Sequence, residues 1–445
     1  MNRGGLRHLG EALARGAVTF VVLAAIGQAL AFGARIVAGT GPSVVTTAKI
    51  GAIYVGAFNH VAIEIQVADD ASMAGGSGST SVSIGVALLA VTALGLWLVF
   101  RSGRSIAQRA GGTVAHRMLL GAAVAPAYAA LVFALALLVE VRTSLRIGAF
   151  SSGDLLVSLS AWQALALPFC LAAAAGASGG VASVFASAET RVRLRAVRAA
   201  IAGGWRMFVL GVALSIGGLF VAGVVQAADA VAFLTPSTAS YWSAVFDRPG
   251  IGVAAFAHHI AVLPNEAMWT LMPSMGGCDV IRGDIDADLL CYGRFLGLQA
   301  PSSDNGLLLP VADDGLPSEH LPVAYLAFLL VPALATLLGG RHAAAVTERP
   351  GRYGLLIGAA SGLVFATLVA AGSLLSTVAI TYYGAGGGNA GWVLFGPDAL
   401  TGTAIAVGWG CVGGAVGAAT TSGVRTQTEA GLDGGRNASG RDVSW

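Results

Sequence analysis

Charge is what this chain has least of. Charged residues fill 11% of its 445 positions, where soluble domains carry roughly 25%, and Lys49 is its only lysine. So little charge cannot coat a water-soluble fold of this size. A net charge of +2 also leaves no basic surface for nucleic acid. Cysteine is nearly as scarce: Cys170 and Cys411 lie inside apolar stretches, and only Cys278 and Cys291 lie outside them. Catalytic signatures are missing. There is no H-E-x-x-H, phosphate-loop or dinucleotide motif, so the sequence points to no cofactor and to no enzyme. Gly176-Ala-Ser-Gly179 has the G-x-S-G spacing of an intramembrane serine nucleophile, but no later span supplies the histidine such chemistry needs. In a chain with 63 glycines it reads as helix packing.

Apolar residues fill the space instead, at 56% of the chain. A hydrocarbon core of about 30 Å takes about 20 apolar residues to cross. Runs of that kind recur at 16–38, 82–100, 118–140, 158–182, 207–226, 322–340, 354–380 and 398–419. They predict an all-α, polytopic transmembrane bundle of about eight spans. Arg3, Arg7 and Arg15 precede the first run, whose length suits an uncleaved anchor. Arginine then sets the orientation. Arg101, Arg104, Arg109 and Arg117 share one loop, Arg191, Arg193, Arg195 and Arg198 a second, and Arg341, Arg349 and Arg352 a third. The expectation is a multi-pass protein of a bacterial plasma membrane with both termini cytoplasmic and 423–445 a disordered cytoplasmic tail.

Two further apolar segments, 44–66 and 251–272, are flanked by spans that hold both their ends outside. Each is expected to be a re-entrant or an interfacial, amphipathic helix, with any non-helical backbone at membrane depth covered or wetted. They bring ionisable groups into the membrane region: Lys49, His60 and Glu64 in the first, His258, His259, Asn265 and Glu266 in the second. These seven form the candidate intramembrane polar site. Four residues apart, His60 and Glu64 would share a helix face as a bonded pair or a proton-relay element. Pro264 should break the second segment near Leu263–Asn265, with Asn265 bonding the carbonyls set free. Mutual satisfaction at a structural interface and a proton or ion path both remain open.

The segments also look like copies, AFNHVAI at 57–63 against AFAHHIA at 255–261. The chain therefore reads as a parallel tandem duplication, four spans per repeat, with repeats over 1–200 and 201–422. The second repeat adds an acidic extracytoplasmic loop at 273–321. There Cys278 and Cys291 are expected to form a disulfide in an oxidising exterior. Asp284, Asp286 and Asp288 open like a calcium loop, but Leu289 and Phe295 stand where its glycine and closing glutamate belong, so no metal site is read.

Three motifs in order carry a resemblance over most of the chain: LWLVFRSGR at 96–104, LPNEAMW at 263–269 and PVAYLAFLLVPALATLLGGR at 322–341. They resemble the PerM-type family of actinobacterial integral membrane proteins linked to cell division. The resemblance implies a non-enzymatic scaffold that stabilises or recruits other membrane proteins of division or envelope growth. The acidic insertion at 278–315 departs from that pattern. The rival expectation is a secondary transporter with an ion path at the repeat interface. A sealed core with an exposed groove would favour the scaffold, and a wet path from Lys49, His60 and Glu64 the transporter.

Overall fold

The structure, a computed structural model, describes residues 3–38, 43–69, 79–147, 151–186, 194–225, 249–284, 287–291, 327–347, 352–383 and 390–437. Helices dominate. In chain order they are α1 Arg3–Ala38, α2 Val44–Phe58, α3 Leu89–Ala110, α4 Val114–Ala122, α5 Ala125–Leu138, α6 Ala161–Ala182, α7 Arg195–Val225, α8 Pro249–Ser274, α9 Leu330–Thr347, α10 Arg352–Ser376 and α11 Ala399–Asn437. Among the described residues, seven stretches are long and apolar enough to cross a membrane: Leu6–Ile36, Val114–Leu138, Ala161–Phe185, Arg195–Val221, Ala327–Thr347, Arg352–Ser376 and Ala399–Thr421. The protein is thus a multi-pass helical membrane bundle. The eighth expected span, near 82–100, falls partly on α3, which is not among these seven stretches and carries Arg101, Arg104 and Arg109 in its second half.

The bundle is not all-α. Among the described residues four hairpins interrupt it: β1 Ile63–Asp69 with β2 Ser79–Gly85, β3 Glu140–Ile147 with β4 Ser151–Leu159, β5 Cys278–Gly283 with β6 Ala287–Cys291, and β7 Val378–Tyr383 with β8 Ala390–Pro397. They join in one eight-stranded sheet of order β3-β4-β1-β2-β7-β8-β5-β6, with every pairing antiparallel. The sheet gathers all four hairpins at one end of the helices. The arginine-bearing turns follow the opposite ends.

Strand chemistry explains why hydropathy passes over this sheet. In β2 (STSVSIG) Val82 and Ile84 alternate with Ser81 and Ser83, the period of a strand with one apolar face. Averaged over a span-length window, such a strand merges with the apolar helix beside it. Residues 82–85 accordingly belong to β2, not to a span, and 378–380 belong to β7. Cross-strand partners share a face, so Ile63, Ile84, Leu159 and Ile380 make one apolar row while Glu64, Ser83, Ser158 and Thr381 make the polar row beside it.

The two expected re-entrant or interfacial segments are built differently from each other. Helix α2 is capped by Ser43, whose Oγ accepts from Thr46 N at 3.1 Å, and ends at Phe58. Beyond it His60 takes the left-handed conformation at φ 61°, and the chain leaves as β1. Helix α8 runs unbroken through Pro264, so the expected break is absent; the helix packs against α1, α3 and α7, which supports it where the backbone donor is missing. The acidic loop contributes β5 and β6, and the expected disordered tail is helical as far as Asn437.

Glycine sets the closest helix contacts. A Cβ on Gly176 would meet Gly121 O at 2.2 Å, and one on Gly414 would meet Gly358 O at 2.2 Å. These seams bring α4 against α6 and α10 against α11. The G-A-S-G run is such a seam.

Candidate functional site

The polar residues singled out by sequence converge only in part, at the junction below the sheet. The α2–β1 turn supplies Asn59 and His60. Asn59 caps α2, donates Nδ2–H to Val55 O at 2.8 Å and accepts from the Tyr128 hydroxyl at 2.6 Å. Thr92 of α3 donates to Phe58 O at 2.7 Å. With both ends of its carboxamide so used, Asn59 is only 4% exposed.

His60 reaches across the molecule. Its Nε2 lies 2.6 Å from Leu375 O, at the C-terminal end of α10. A carbonyl only accepts, so the ring proton sits on Nε2. Burial lowers the His60 pKa below the ordinary imidazole value, and the bond to Leu375 offsets part of that shift. Neutral imidazole therefore serves this contact.

Asn265 makes the reciprocal crossing from α8. Its Nδ2 donates to Ala87 O at 2.8 Å and its Oδ1 accepts from Leu89 N at 3.0 Å. Leu88, at the N-cap of α3, makes no side-chain capping bond. Asn265 thus supplies from another helix the cap that the local sequence lacks. One turn later Trp269 donates Nε1–H to Ser376 O at 3.1 Å and sets its ring edge against Phe395 of β8, with centroids 4.8 Å apart. The expectation that Asn265 would bond carbonyls freed by Pro264 gives way to this bridge.

The remaining candidates stand apart. Lys49 donates Nζ–H to Glu140 O at 2.6 Å, at the start of β3. Glu64 lies on β1 between Ser83 and Ser158, so it shares no helix face with His60. Glu266 follows Asn265 on α8 and is half-buried. His258 and His259 lie in the first half of α8, whereas His60 follows the end of α2. The two look-alike heptapeptides therefore occupy different positions in their elements. The histidine side chains at 258 and 259 fall outside the described residues.

Sequence reading missed Asp279. It is 4% exposed on β5, its Oδ1 has no hydrogen-bond partner among the described residues, and burial raises its pKa well above the ordinary carboxylate value. The signal was the alternation in CDVIRG, which puts Asp279 on the same face as Ile281. Next to it Cys278 is disulfide-bonded, Cys170 and Cys411 are free, and the β5–β6 register sets Cys278 opposite Cys291.

Two concavities lie away from these ionisable groups. An apolar groove of about 480 Å³ runs between α9 and α11, lined by Ala333, Thr336, Leu337, Ile405, Trp409 and Val412 among others. A far smaller space of about 10 Å³ adjoins Asn59, Thr92 and Tyr128, room for about one water. Among the described residues no three His, Cys, Asp or Glu side chains gather as metal ligands would.

Comparison with family models, curated proteins and solved structures finds no match. What the site does is therefore argued from its geometry alone. That geometry joins side chains to main-chain atoms of distant elements, and it leaves His60, Asn265 and Trp269 bonded to protein.

Proposed function

We propose that this chain is a non-enzymatic scaffold of the bacterial plasma membrane, of the PerM type, which supports cell division or envelope growth by stabilising or recruiting other membrane proteins. One observation carries the reading. The polar side chains at the junction bond main-chain atoms of distant elements, and the apolar groove between α9 and α11 lies among the spans. Two residues of the LPNEAMW motif that carries the family resemblance, Asn265 and Trp269, are among those making the bonds. The motif would then preserve a brace.

The same reading places eight spans, counting α3, with both termini cytoplasmic and the sheet outside. It also treats the chain as a parallel tandem duplication. In both halves two helices, a hairpin, an inward and an outward helical segment, a second hairpin and a closing helix follow in the same order. Within each half the second hairpin precedes the first across the sheet, as β3-β4-β1-β2 and as β7-β8-β5-β6. That agreement replaces the heptapeptide match as the ground for duplication.

Depletion with cell-length microscopy, together with capture of membrane partners from crosslinked cells, tests the scaffold. Long or bulging cells and recovery of division or envelope proteins support it. Transport is the rival, favoured by the buried carboxyl of Asp279, whose Oδ1 has no partner among the described residues. Purified protein that moves protons or a solute across liposomes, with movement lost in Asp279→Asn or Glu64→Gln, overturns the scaffold reading.

A further inference from the structure

The groove between α9 and α11 offers its guest almost nothing but hydrocarbon. Two polar side chains stand on its walls, and the donors of both are used. Thr336 donates its hydroxyl to Pro332 O at 2.7 Å, and Trp409 donates Nε1–H to Met275 O at 2.9 Å. At Gly408 a Cβ would meet nothing within 4 Å, so the space is open there. From Ile405 to Val416 the groove runs roughly 16 Å along α11. That is about half of a hydrocarbon core of about 30 Å, the depth of one leaflet, whereas a spanning helix needs a seam about twice as long.

One end of the groove is cationic. Leu337 lines it, and Arg341 follows on the same face of α9, about 6 Å nearer the arginine end. Thr421 Oγ1 lies 3.5 Å from Arg341 O and draws α11 to α9 at this rim. Arg341 is exposed, and among the described residues no carboxylate pairs with it. The next residue, His342, accepts at Nδ1 from Arg206 at 3.0 Å, because a guanidinium only donates. That contact sets a second guanidinium at the same level. The first half differs, since its Glu11 pairs with Arg15 at 3.0 Å and also with Arg109. An arginine at a membrane boundary with no carboxylate to meet it is complementary to an anionic headgroup, and its forked donors suit a phosphate.

We propose that the α9–α11 groove holds an acyl chain of an anionic phospholipid whose phosphate lies against Arg341. The apolar walls supply the contact with the chain. Arg341, with Arg206 at the same level, supplies the preference for negative charge. A zwitterionic lipid with the same chains keeps the first contribution and loses much of the second. This is independent of the scaffold reading, because lipid fills the groove whether or not division proteins are recruited.

The test uses the full-length protein, delipidated in detergent and titrated under native mass spectrometry with phosphatidylglycerol and phosphatidylcholine of identical chains. Phosphatidylglycerol should bind more tightly, and Arg341→Gln should cut that preference about fivefold. Arg341→Lys should keep most of it. Gly408→Leu, which fills the groove, should weaken both lipids alike. Position is read on the unaltered protein in native membranes, with phosphatidylglycerol carrying a diazirine in its acyl chain. Its label should concentrate on α9 and α11 near Leu337 and Val412. Label spread evenly over the lipid-facing helices overturns the proposal, as does equal labelling of the groove by the phosphatidylcholine analogue. Absence of label between α9 and α11, as when another polypeptide covers the seam, overturns it too. So does an Arg341→Gln protein that keeps the full preference for phosphatidylglycerol.

Discussion

Replacing Asn265 by alanine removes one side chain and strands groups on another element. In the native junction the carboxamide satisfies Ala87 O and Leu89 N, at 2.8 and 3.0 Å, while itself 5% exposed. Leu89 N begins α3, and Leu88 gives it no capping bond. Alanine would leave a donor and an acceptor without their partner. Each orphaned group costs about 1–3 kcal/mol. Polar contacts in membrane proteins average nearer 0.6 kcal/mol because the unfolded chain also finds partners. A total loss of roughly 2–3 kcal/mol follows, with orphaning outweighing the mean contact value because water reaches this position poorly. Leucine should cost as much or more, since it keeps the volume and admits no water. The assay is thermal unfolding in nanodiscs beside hydrogen exchange at the first turn of α3. Faster exchange at Leu89 and its neighbours, with a melting point several degrees lower, is expected. Unchanged exchange at Leu89 in Asn265→Ala would refute the bridge as a cap, whatever happens to global stability.

Four other outcomes can be measured on the same preparation. His60→Ala should destabilise by about 1–2 kcal/mol, and His60→Gly by less, because glycine relieves the strain of φ 61° while losing the same bond to Leu375 O; equal melting points for the two would remove strain from the account. The titrations run in opposite directions. A pKa held below 6.5 at His60 gives stability that is present above that pH and lost as pH falls through it, whereas a pKa raised above 3.8 at Asp279 gives stability that is lost as pH rises past that value. Asp279→Asn should therefore raise the neutral-pH melting point and flatten its decline with rising pH, and a lower melting point would contradict the buried-acid account. Alkylation under denaturing conditions should label Cys170 and Cys411 before reduction and Cys278 and Cys291 only after it; on the chain-entropy model that pairing stabilises by about 3 kcal/mol. Gly414→Ala should be destabilising because its Cβ meets Gly358 O at 2.2 Å, while Gly408→Ala, with nothing within 4 Å, should be nearly neutral in a melting series.

What sequence could show of this fold follows from which signals are long. A span concentrates apolar residues over about 20 positions, and helices such as Leu6–Ile36 and Arg352–Ser376 lie where the hydropathy puts them. A six- or seven-residue strand with serine on one face has too little contrast to stand out beside a span. The sheet also depends on long-range pairing, as in β2 with β7, which no local pattern encodes. The candidate site divides on the same line. His60 and Asn265 attract notice because polar groups are costly near lipid. Their partners are main-chain atoms at Leu375, Ala87 and Leu89, and every residue has those atoms. Proline at 264 predicted a broken helix from local sterics, and packing around α8 overrode it.

The direction of the polar contacts gives the architecture a further consequence. The bonds from His60 to Leu375, and from Asn265 to Ala87 and Leu89, connect the halves, and so does the β2·β7 joint. All lie at the sheet end. At the arginine end, Arg109 pairs with Glu11 and Arg117 bonds Ser183 within the first half, while Arg195 bonds Val346 O and Arg206 contacts His342 within the second. Each half thus ties its own helices together where the arginines are, and the two are tied to each other where the strands are. A change at the sheet end acts on how the halves sit together. A change among the arginines acts first on one half alone. Apolar packing joins the halves as well: α8 lies against α1 and α3, Ala261 sits in the core of the first half, and Ala87 and Leu89 sit in the core of the second, so moving one half against the other would open both cores.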